Sequence, residues 1–361
     1  MVIPELPGYL RALGGEAYLG LIYSLFTFTA GISRPFSGKW ADHIGRVPVM
    51  LTGALVSAFC GLLYPFVLGV FGFLALRFFH GFSTGFTPTG VTSYVADIIH
   101  PQKRGEAMGL IGLAGSLGMA AGPAAGSYFA DSYGLNTMFY ASSATGFVAY
   151  MLLFRAKETL ANPKPFTISM FRIHKDEWIE KACLPPALVI LLCTFSFGTM
   201  LTLVPDVSVY AGMKNKGLFF TIFTISSVAV RFSAGRISDR IGREKVLLLS
   251  TVLLATAMFV IGFSDTKAKL TIGAVLFGLA QGINSPTIFA WAIDLSNVKA
   301  VGKAMATVFM AMEAGIGLGA LLSGSLYGGK TANFPILFGA SALLCLAASI
   351  YLLWRLFKKG F

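Results

Sequence analysis

Charged residues are scarce in this sequence: only 12% of its 361 residues are Asp, Glu, Lys or Arg. Hydrophobic residues make up 55%, and the mean hydropathy is +0.74. A soluble chain of this length needs more charged surface, so the composition excludes a water-soluble globular protein. The zinc-protease pattern HExxH is absent, and we expect neither a nucleophile elbow nor a Walker-type phosphate-binding loop. The sequence therefore predicts a membrane protein that is neither an enzyme nor driven directly by ATP.

Cysteines are also few, and they are dispersed. Cys60, Cys183, Cys193 and Cys345 all fall within apolar stretches, without a CxxC pair or a neighbouring pair of histidines. We therefore expect small packing residues rather than disulfides or a metal site, and we expect no cofactor.

Long apolar stretches follow one another along almost the whole chain. A stretch of about 18 or more apolar residues is long enough to cross a bilayer as a helix. Because lipid offers the backbone no hydrogen-bond partner, each crossing must be helical. The predicted fold class is an all-α membrane protein with eleven full spans, at 17–37, 48–69, 71–97, 105–130, 134–154, 183–211, 216–237, 246–264, 269–294, 303–328 and 332–357.

A repeat with a separation of 197 residues relates the two halves of the chain. The decapeptide Gly38–Val47 recurs as Gly235–Glu244, and each copy lies between two apolar stretches. Duplication of a multi-helix unit is typical of secondary transporters. The same separation relates Arg34 to Arg231, Asp97 to Asp294, Gly105 to Gly302 and Gly122 to Gly319.

The net charge of +12 is unevenly distributed over the predicted loops. When residues at the ends of spans are counted with the adjacent loop, 19 of the 28 Lys and Arg residues fall on the side of the two decapeptides, six on the other side and three deep inside spans. Positive charge concentrates in cytoplasmic loops, so we expect the decapeptides and the carboxyl end to be cytoplasmic. The basic balance thus reflects membrane topology and does not indicate nucleic-acid binding.

The predicted organisation is an amino-terminal bundle at 1–155, a cytoplasmic linker at 156–182 and a carboxyl-terminal bundle at 183–361. The stretch Val2–Leu10 is similar to the end of the seventh helix around Leu203–Asp206. We therefore expect the first bundle to contain only the outer end of a first helix.

The decapeptides resemble the loop signature of the major facilitator superfamily, Gly-x-x-x-Asp-Arg-x-Gly-Arg-Arg. The first copy departs from it at His43 and Val47. The stretch Arg77–Gly81 resembles another family motif, with His80 in place of Gln. A third resemblance, to the motif of the family's antiporters, comprises Gly109, Gly118, Gly122, Pro123 and Gly126. This resemblance implies a fold of two six-helix bundles and favours export in exchange for protons.

The repeated loops predict a charge-linked latch on the cytoplasmic side. Asp42, Arg46 and Asp97 form one copy, and Asp239, Arg243 and Asp294 form the other. The glycines Gly38, Gly45, Gly235 and Gly242 permit tight turns and close approach of helices. We expect Asp239 and Asp42 to meet the amino ends of helices near Gly105 and Gly302, closing the cytoplasmic side in one state only. The alternative is a static loop that fixes the topology.

Glu313 is the most informative charge inside a predicted span. It lies about 15 Å along the helix from Lys303, near the middle of the bilayer. Its mate in the repeat is Ser116, so the acid is not a remnant of duplication. A carboxyl buried in a medium of low dielectric can exchange a proton near neutral pH. We predict proton coupling or binding of a cationic substrate, against the alternative of a structural, hydrogen-bonded acid.

Arg77 and His80 share one face of the fourth span. Arg77 either extends to the outer interface or acts near a proton or anion site, and His80 either titrates or packs. Glu5 and Asp206 lie at matching outer ends of helices. They either line the transport cavity or are ordinary residues at the membrane–water interface.

Two further arginines, Arg34 and Arg231, precede the repeated glycines by four residues. We expect them to support the latch or anchor to lipid head groups, and not to bind substrate.

The predicted function is secondary active transport by alternating access, most simply proton-coupled export of a small hydrophobic or cationic compound. The alternatives are proton-coupled import of a sugar, organic acid or peptide and, less favoured, a non-transporting receptor. The expected partners are a small-molecule substrate, protons and the lipid bilayer of a bacterial inner membrane. We expect a monomer.

Overall fold

A computed structural model describes residues 1–98, 104–160, 162–167, 170, 179–295 and 301–358. Within some helices only the backbone is described. The side chains of Asp42 and Asp239 and the surroundings of Gly105, Gly109 and Gly235 lie outside the described part. The greater part of the predicted linker, including the stretch 171–178, also lies outside it.

All regular structure in the described residues is helical. The α-helices are α1 Leu6–Ala12, α2 Leu21–His43, α3 Arg46–Leu63, α4 Gly69–Ile98, α5 Arg104–Tyr133, α6 Leu135–Phe154, α7 Leu184–Tyr210, α8 Leu218–Ile241, α9 Arg243–Gly262, α10 Lys267–Leu295, α11 Val301–Tyr327 and α12 Phe334–Lys358.

Each of the eleven predicted spans coincides with one of the helices α2–α12. By length and apolar composition, eight helices can cross a membrane: α3, α5, α6, α7, α9, α10, α11 and α12. The count of eleven full spans is therefore not confirmed. Helix α1 has seven residues, compared with 27 in α7.

Helix packing repeats with the sequence. In the first half of the chain (α1–α6), α2 packs on α4, and α3 packs on α4 and α6. In the second half (α7–α12), α8 packs on α10, and α9 packs on α10 and α12. Between the halves, α2 contacts α11 and α5 contacts α8, which are symmetry-related pairs under the 197-residue repeat. These two helix pairs bring residues of both halves together at the centre.

The two halves differ in how deeply their helices are buried. In α7, 67% of an apolar 18-residue stretch is buried inside the protein, whereas the corresponding share is 17% in both α5 and α6. The reason is visible in the packing: α7 lies along α11, and its counterpart α1 is too short to cover α5 in the same way.

Both decapeptides place a glycine where the backbone needs it. Gly45 has φ of 139° and Gly242 has φ of 94°, and each immediately precedes a helix. Side chains other than glycine rarely adopt this region, so the glycine allows the sharp turn between consecutive helices. We call the end of the molecule that carries these turns the motif face, and the end with the loops 13–20 and 211–217 the distal face.

A carboxylate from beyond α6 caps the first of these helices. The side chain of Glu158 accepts hydrogen bonds from the backbone N–H groups of Arg46 and Val47, both at 3.0 Å. Partial burial raises the pKa of Glu158, but the N–H groups of Leu160, Arg46, Val47 and Thr159 outweigh it and hold the pKa below its ordinary value. The predicted linker is thus fixed to the motif face at its beginning.

Two short stretches match enzyme patterns but lie in helical surroundings. Gly81–Gly85 reads Gly-x-Ser-x-Gly and lies inside α4, whereas a nucleophile elbow lies between a strand and a helix. Gly324–Thr331 reads as a Walker pattern, yet it begins inside α11 and leads towards α12. A Walker loop follows a strand, so neither match has the structural context of its motif.

Replacing Glu158 with Ala is expected to lower the stability of the protein. The loss of a helix cap costs about 0.5–2 kcal/mol, and the exposure of Glu158 places it at the lower end. Because the folded-state pKa is lowered, the stabilisation is present at neutral pH and disappears as the pH falls from about 4.3, the ordinary value of a Glu, through the lowered one. Thermal unfolding in detergent at several pH values measures it.

The control is Lys157→Ala, which alters an exposed neighbour. Equal unfolding temperatures for Glu158→Ala and Lys157→Ala at neutral pH would contradict the capping role.

Candidate transport site

Two ion pairs join the halves of the chain at the distal face. Arg11 in α1 donates to both carboxylate oxygens of Asp206 in α7, at 2.8 and 2.5 Å. Lys216, before α8, lies 3.0 Å from Glu5, which also accepts a hydrogen bond from Ser127 at 2.8 Å. The signs are opposite in the two pairs, since each half supplies one acid and one base. Both predicted acids, Glu5 and Asp206, therefore hold the halves together at the distal face.

Below these pairs, α2 and α11 come into backbone contact. A Cβ atom added to Gly20 would collide with the backbone of Leu321, and one added to Gly324 would collide with Gly20. One added to Gly317 would lie 2.7 Å from the hydroxyl of Thr27. The small residues therefore permit the closure of the distal half of this interface.

A buried ion pair crosses the same interface near the middle of both helices. Arg34 Nη2 in α2 donates to Glu313 Oε1 in α11 at 3.1 Å, and the two side chains are only 6% and 5% exposed. The guanidinium also lies over the ring of Phe309, at 4.5 Å from its centre. The prediction that Arg34 serves the latch or a lipid head group is wrong, because its side chain is directed across the interface to α11. Glu313 thus forms a charged contact between the halves.

The related position in the other interface carries an arginine that pairs with no acid among the described side chains. Arg231 in α8 donates from Nη1 to the Gly112 carbonyl at 3.2 Å and to the Ser116 hydroxyl at 3.1 Å, both in α5. Arg231 and Ser116 are the repeat mates of Arg34 and Glu313. The prediction of a head-group anchor is wrong here as well, since Arg231 also contacts the opposite half.

Each interface borders a cavity. A cavity of about 240 Å³ lies between α5, α7, α8 and α10, where Arg231, Gln281 and Ser116 are among its lining residues. A second cavity, of about 430 Å³, lies along α2 and α11 and is almost entirely apolar apart from Glu313 and a few hydroxyls. A third, of about 460 Å³, opens at the distal face beside Arg11 and Asp206.

Arg77 and His80 belong to a polar cluster inside the first half. Arg77 is 3% exposed, so it does not extend to the outer interface. It donates to the Ile22 carbonyl at 2.9 Å and to the Tyr64 hydroxyl at 3.1 Å, and it lies over the ring of Phe26 at 4.4 Å. His80 lies 3.2 Å from the same Tyr64 hydroxyl. Tyr64 thus connects the two residues that the sequence singled out.

At the motif face the charges of the repeated loops meet within each half. Arg46 Nε lies 3.0 Å from Asp97 Oδ2, and Arg243 Nε lies 2.9 Å from Asp294 Oδ2. The contacts of the Asp42 and Asp239 side chains, and those of the helix beginnings near Gly105 and Gly302, lie outside the described part. The gating role of these residues stays a prediction.

The glycines of α5 differ in what they contact. Gly122 and Gly126 lie against the backbone of Met1, whereas a Cβ atom on Gly118 would meet no described atom within 4 Å. The carbonyl of Pro123 is close to Gly217 before α8. This part of α5 therefore packs on the amino end of the chain and on the second half.

Comparison with known proteins identifies the family. The model of the Major Facilitator Superfamily matches residues 1–216 and again 210–360. The chain belongs to the major facilitator superfamily. It is therefore a multi-pass membrane transporter and not an enzyme.

Individual members of the superfamily share only modest sequence identity with this chain. The "Multidrug resistance protein MdtG" of Salmonella typhi is 29% identical over 308 residues, which cover 80% of this chain and 74% of the relative. The human organic anion transporter MFSD10 (TETRAN) has a similar structure, with a TM-score of 0.74 at 20% identity, covering 97% of this chain and 94% of that one. The peptide transporter POT, solved with sulfate, gives a TM-score of 0.79 at 15% identity, covering 99% and 91%. At these identities the two structures establish the fold alone.

Several residues of the candidate transport site could not be recognised from the sequence. Arg11 and Lys216 were counted only as loop charges, although each pairs with a predicted acid. Tyr64 and Gln281 lack a repeat or motif signal, and only the packing shows their place. The 197-residue repeat could have paired Arg231 with Ser116, once Arg34 was paired with Glu313.

Reversing the charge of Arg11 is expected to loosen the distal face of the transporter. Arg11→Asp places a like charge against Asp206, whereas Arg11→Asp combined with Asp206→Arg restores an opposite pair. Spin labels on cysteines at Leu68 and Thr266, which are exposed near the distal ends of α3 and α9, report the separation. The distance distribution measured by pulsed electron paramagnetic resonance should shift to longer distances in the single variant and return in the double variant.

The four native cysteines are buried, and a protein without the two added cysteines measures their background labelling. A distribution that is identical in all variants would show that the ion pair does not hold the distal face closed.

Proposed function

We propose that this protein is a proton-driven exporter of small hydrophobic compounds, with Arg34 and Glu313 as its coupling pair. The observation that carries the proposal is the buried 3.1 Å ion pair between α2 and α11. The similarity to a multidrug resistance protein and the antiporter-like glycines of α5 support export. The proposed location is a bacterial inner membrane, with the motif face and the carboxyl end in the cytoplasm.

The arrangement corresponds to a state in which the distal, external face is closed. The Arg11–Asp206 and Lys216–Glu5 pairs and the close α2–α11 packing all join the halves on that side of Glu313. Opening the external face moves the distal parts of α2 and α11 apart, and this separates Arg34 from Glu313. The coupling pair therefore exists in one state of the transport cycle and must break in the other.

Exchange requires that an empty carrier does not reorient. In the ionised, empty protein the attraction between Arg34 and Glu313 opposes external opening, since leaving a buried charge without its partner costs about 3–5 kcal/mol. A proton on Glu313 removes the negative charge and most of this attraction. Bound substrate can offset the cost by its own contacts. The protein then reorients either with a proton on Glu313 or with bound substrate. Because the two alternate, a proton gradient drives export of the substrate.

The cytoplasmic latch completes the cycle in this proposal. Arg46 with Asp97 and Arg243 with Asp294 fix the loop geometry within each half. Asp42 and Asp239 then meet the opposite half when the cytoplasmic face closes. The latch and the coupling pair thus act at opposite phases of the cycle.

The geometry around Glu313 favours hydrophobic over cationic substrates. Its carboxylate already contacts Arg34, so a cationic compound would have to displace a guanidinium. The cavity beside it is lined largely by apolar side chains, among them Phe28, Ile32, Leu318 and Leu321, and Glu313 is the one charged residue among the described residues of that lining. This narrows the two substrate classes predicted from the sequence to one.

Glu313→Gln is expected to abolish proton coupling while substrate still equilibrates. The amide keeps the size and a hydrogen-bond acceptor for Arg34, but it cannot bind and release a proton. In proteoliposomes with an acidic interior and an internal pH dye, a panel of hydrophobic compounds should release protons through the wild type only. Exchange of labelled for unlabelled compound, without a gradient, should continue in the variant.

The matched control is Glu244→Gln, because Glu244 pairs with Arg355 at 2.8 Å within the second half and does not cross the interface. Arg34→Gln combined with Glu313→Gln removes the unpaired arginine if the single variant unfolds. Proton coupling that persists in both Glu313 variants would refute the proposal.

A further inference from the structure

Arg231 contacts the opposite half of the protein and lines a polar cavity. Among the described residues, no acid pairs with it. Its repeat mate Arg34 pairs with Glu313, whereas Arg231 meets only the neutral Ser116 and a carbonyl. No described carboxylate forms an ion pair with Arg231. A cationic group therefore faces the centre of the transporter with its charge uncompensated.

The surroundings of Arg231 contain further unused hydrogen-bond capacity. Arg231 Nε and Gln281 Nε2 are buried and have no partner among the described atoms. Both residues line the cavity of about 240 Å³, together with Ser227 and Ser285. Buried donors without partners are uncommon and costly, so an unfilled acceptor is the simplest account of this group.

The chemistry of these donors selects an anionic oxygen group. A guanidinium presents its N–H groups as a planar fork that matches a carboxylate or a similar oxyanion. An anion would also supply the charge that Glu313 supplies to Arg34. Phe197 and Phe223 lie on the same cavity wall and suit an apolar or aromatic body attached to that group.

We infer that the Arg231 cavity binds the anionic head of an amphipathic substrate, with Arg231 and Gln281 as its ligands. The inference rests on the proposed function and narrows it, because it assigns an anionic group to the hydrophobic compounds that are exported. It also distinguishes the two interfaces: Arg34–Glu313 couples protons, and Arg231–Ser116 binds substrate.

Binding of matched probes tests the site without transport. The probes are 2-naphthoate and 2-naphthamide, which share a ring system and differ in charge at neutral pH. Isothermal titration calorimetry on the protein in phosphatidylcholine nanodiscs avoids competition from anionic lipid. Naphthoate should bind at least about tenfold more tightly than naphthamide, as expected for hydrogen bonds to a charged group. Arg231→Gln should remove this preference, and Arg231→Lys should retain part of it.

The repeat itself provides a sharper variant. Ser116→Glu introduces the acid that its repeat mate Glu313 carries, at a position whose present hydroxyl lies 3.1 Å from Arg231 Nη1. The new carboxylate should pair with Arg231, as Glu313 does with Arg34, and abolish naphthoate binding. Ser116→Gln is the control, since it adds the same bulk without the charge and should weaken binding less. Thermal unfolding of both variants checks that each is folded.

The outcomes separate this inference from the proposed function. Equal affinities for naphthoate and naphthamide in the wild type, absence of naphthoate binding, or unchanged binding in Arg231→Gln would overturn the anion site. Glu313→Gln should keep the preference for naphthoate over naphthamide, because Glu313 lies in the other interface. Naphthoate binding at Arg231 together with intact proton coupling in Glu313→Gln would support the site and refute only the coupling pair.

Discussion

A charge inside a helical bundle surrounded by lipid must meet an opposite charge, a polar partner or water, because solvation by hydrocarbon is so poor. Arg34, Arg77 and Arg231, which lie deep inside the predicted spans, satisfy this requirement in different ways. Arg34 meets the carboxylate of Glu313, and Arg77 meets a carbonyl, a phenol and an aromatic face. Arg231 meets a carbonyl and a hydroxyl beside a cavity. In the proposed mechanism, these partners assign proton coupling to Arg34, stabilisation to Arg77 and substrate binding to Arg231.

The duplication supplies two equivalent interfaces, and substitutions at equivalent positions make them different. The α2–α11 and α5–α8 contacts are related by the repeat, with Arg34 and Arg231 at equivalent positions. Their partners Glu313 and Ser116 differ in charge. A symmetric scaffold suits rocking between two faces, whereas proton and substrate need separate chemistry. In the proposed mechanism, one acid in place of a hydroxyl provides that separation.

Much of the fold could be predicted from the sequence, because its determinants are local. Apolar length gave the helices, and the repeat gave the correspondence of Arg46 and Asp97 with Arg243 and Asp294. Contacts between the two halves could not be predicted in the same way. Neither periodicity nor spacing specifies which side chains meet when they are far apart in the sequence, as Arg11 and Asp206 are. Arg34 illustrates the difficulty. Four residues place it about 6 Å from Gly38 along the helix, which suggested the latch, but the side chain is directed towards α11.

The central claim is that the ionised Arg34–Glu313 pair keeps the empty protein closed at its distal face. The most direct measurement is the pH dependence of the distance between spin labels at Leu68 and Thr266, in the absence of substrate. The account predicts one short-distance population at high pH and an added long-distance population as Glu313 takes up a proton. In Glu313→Gln, both populations should be present at every pH. A wild-type distribution that does not change with pH, or a Glu313→Gln protein that stays fully closed, would contradict the account.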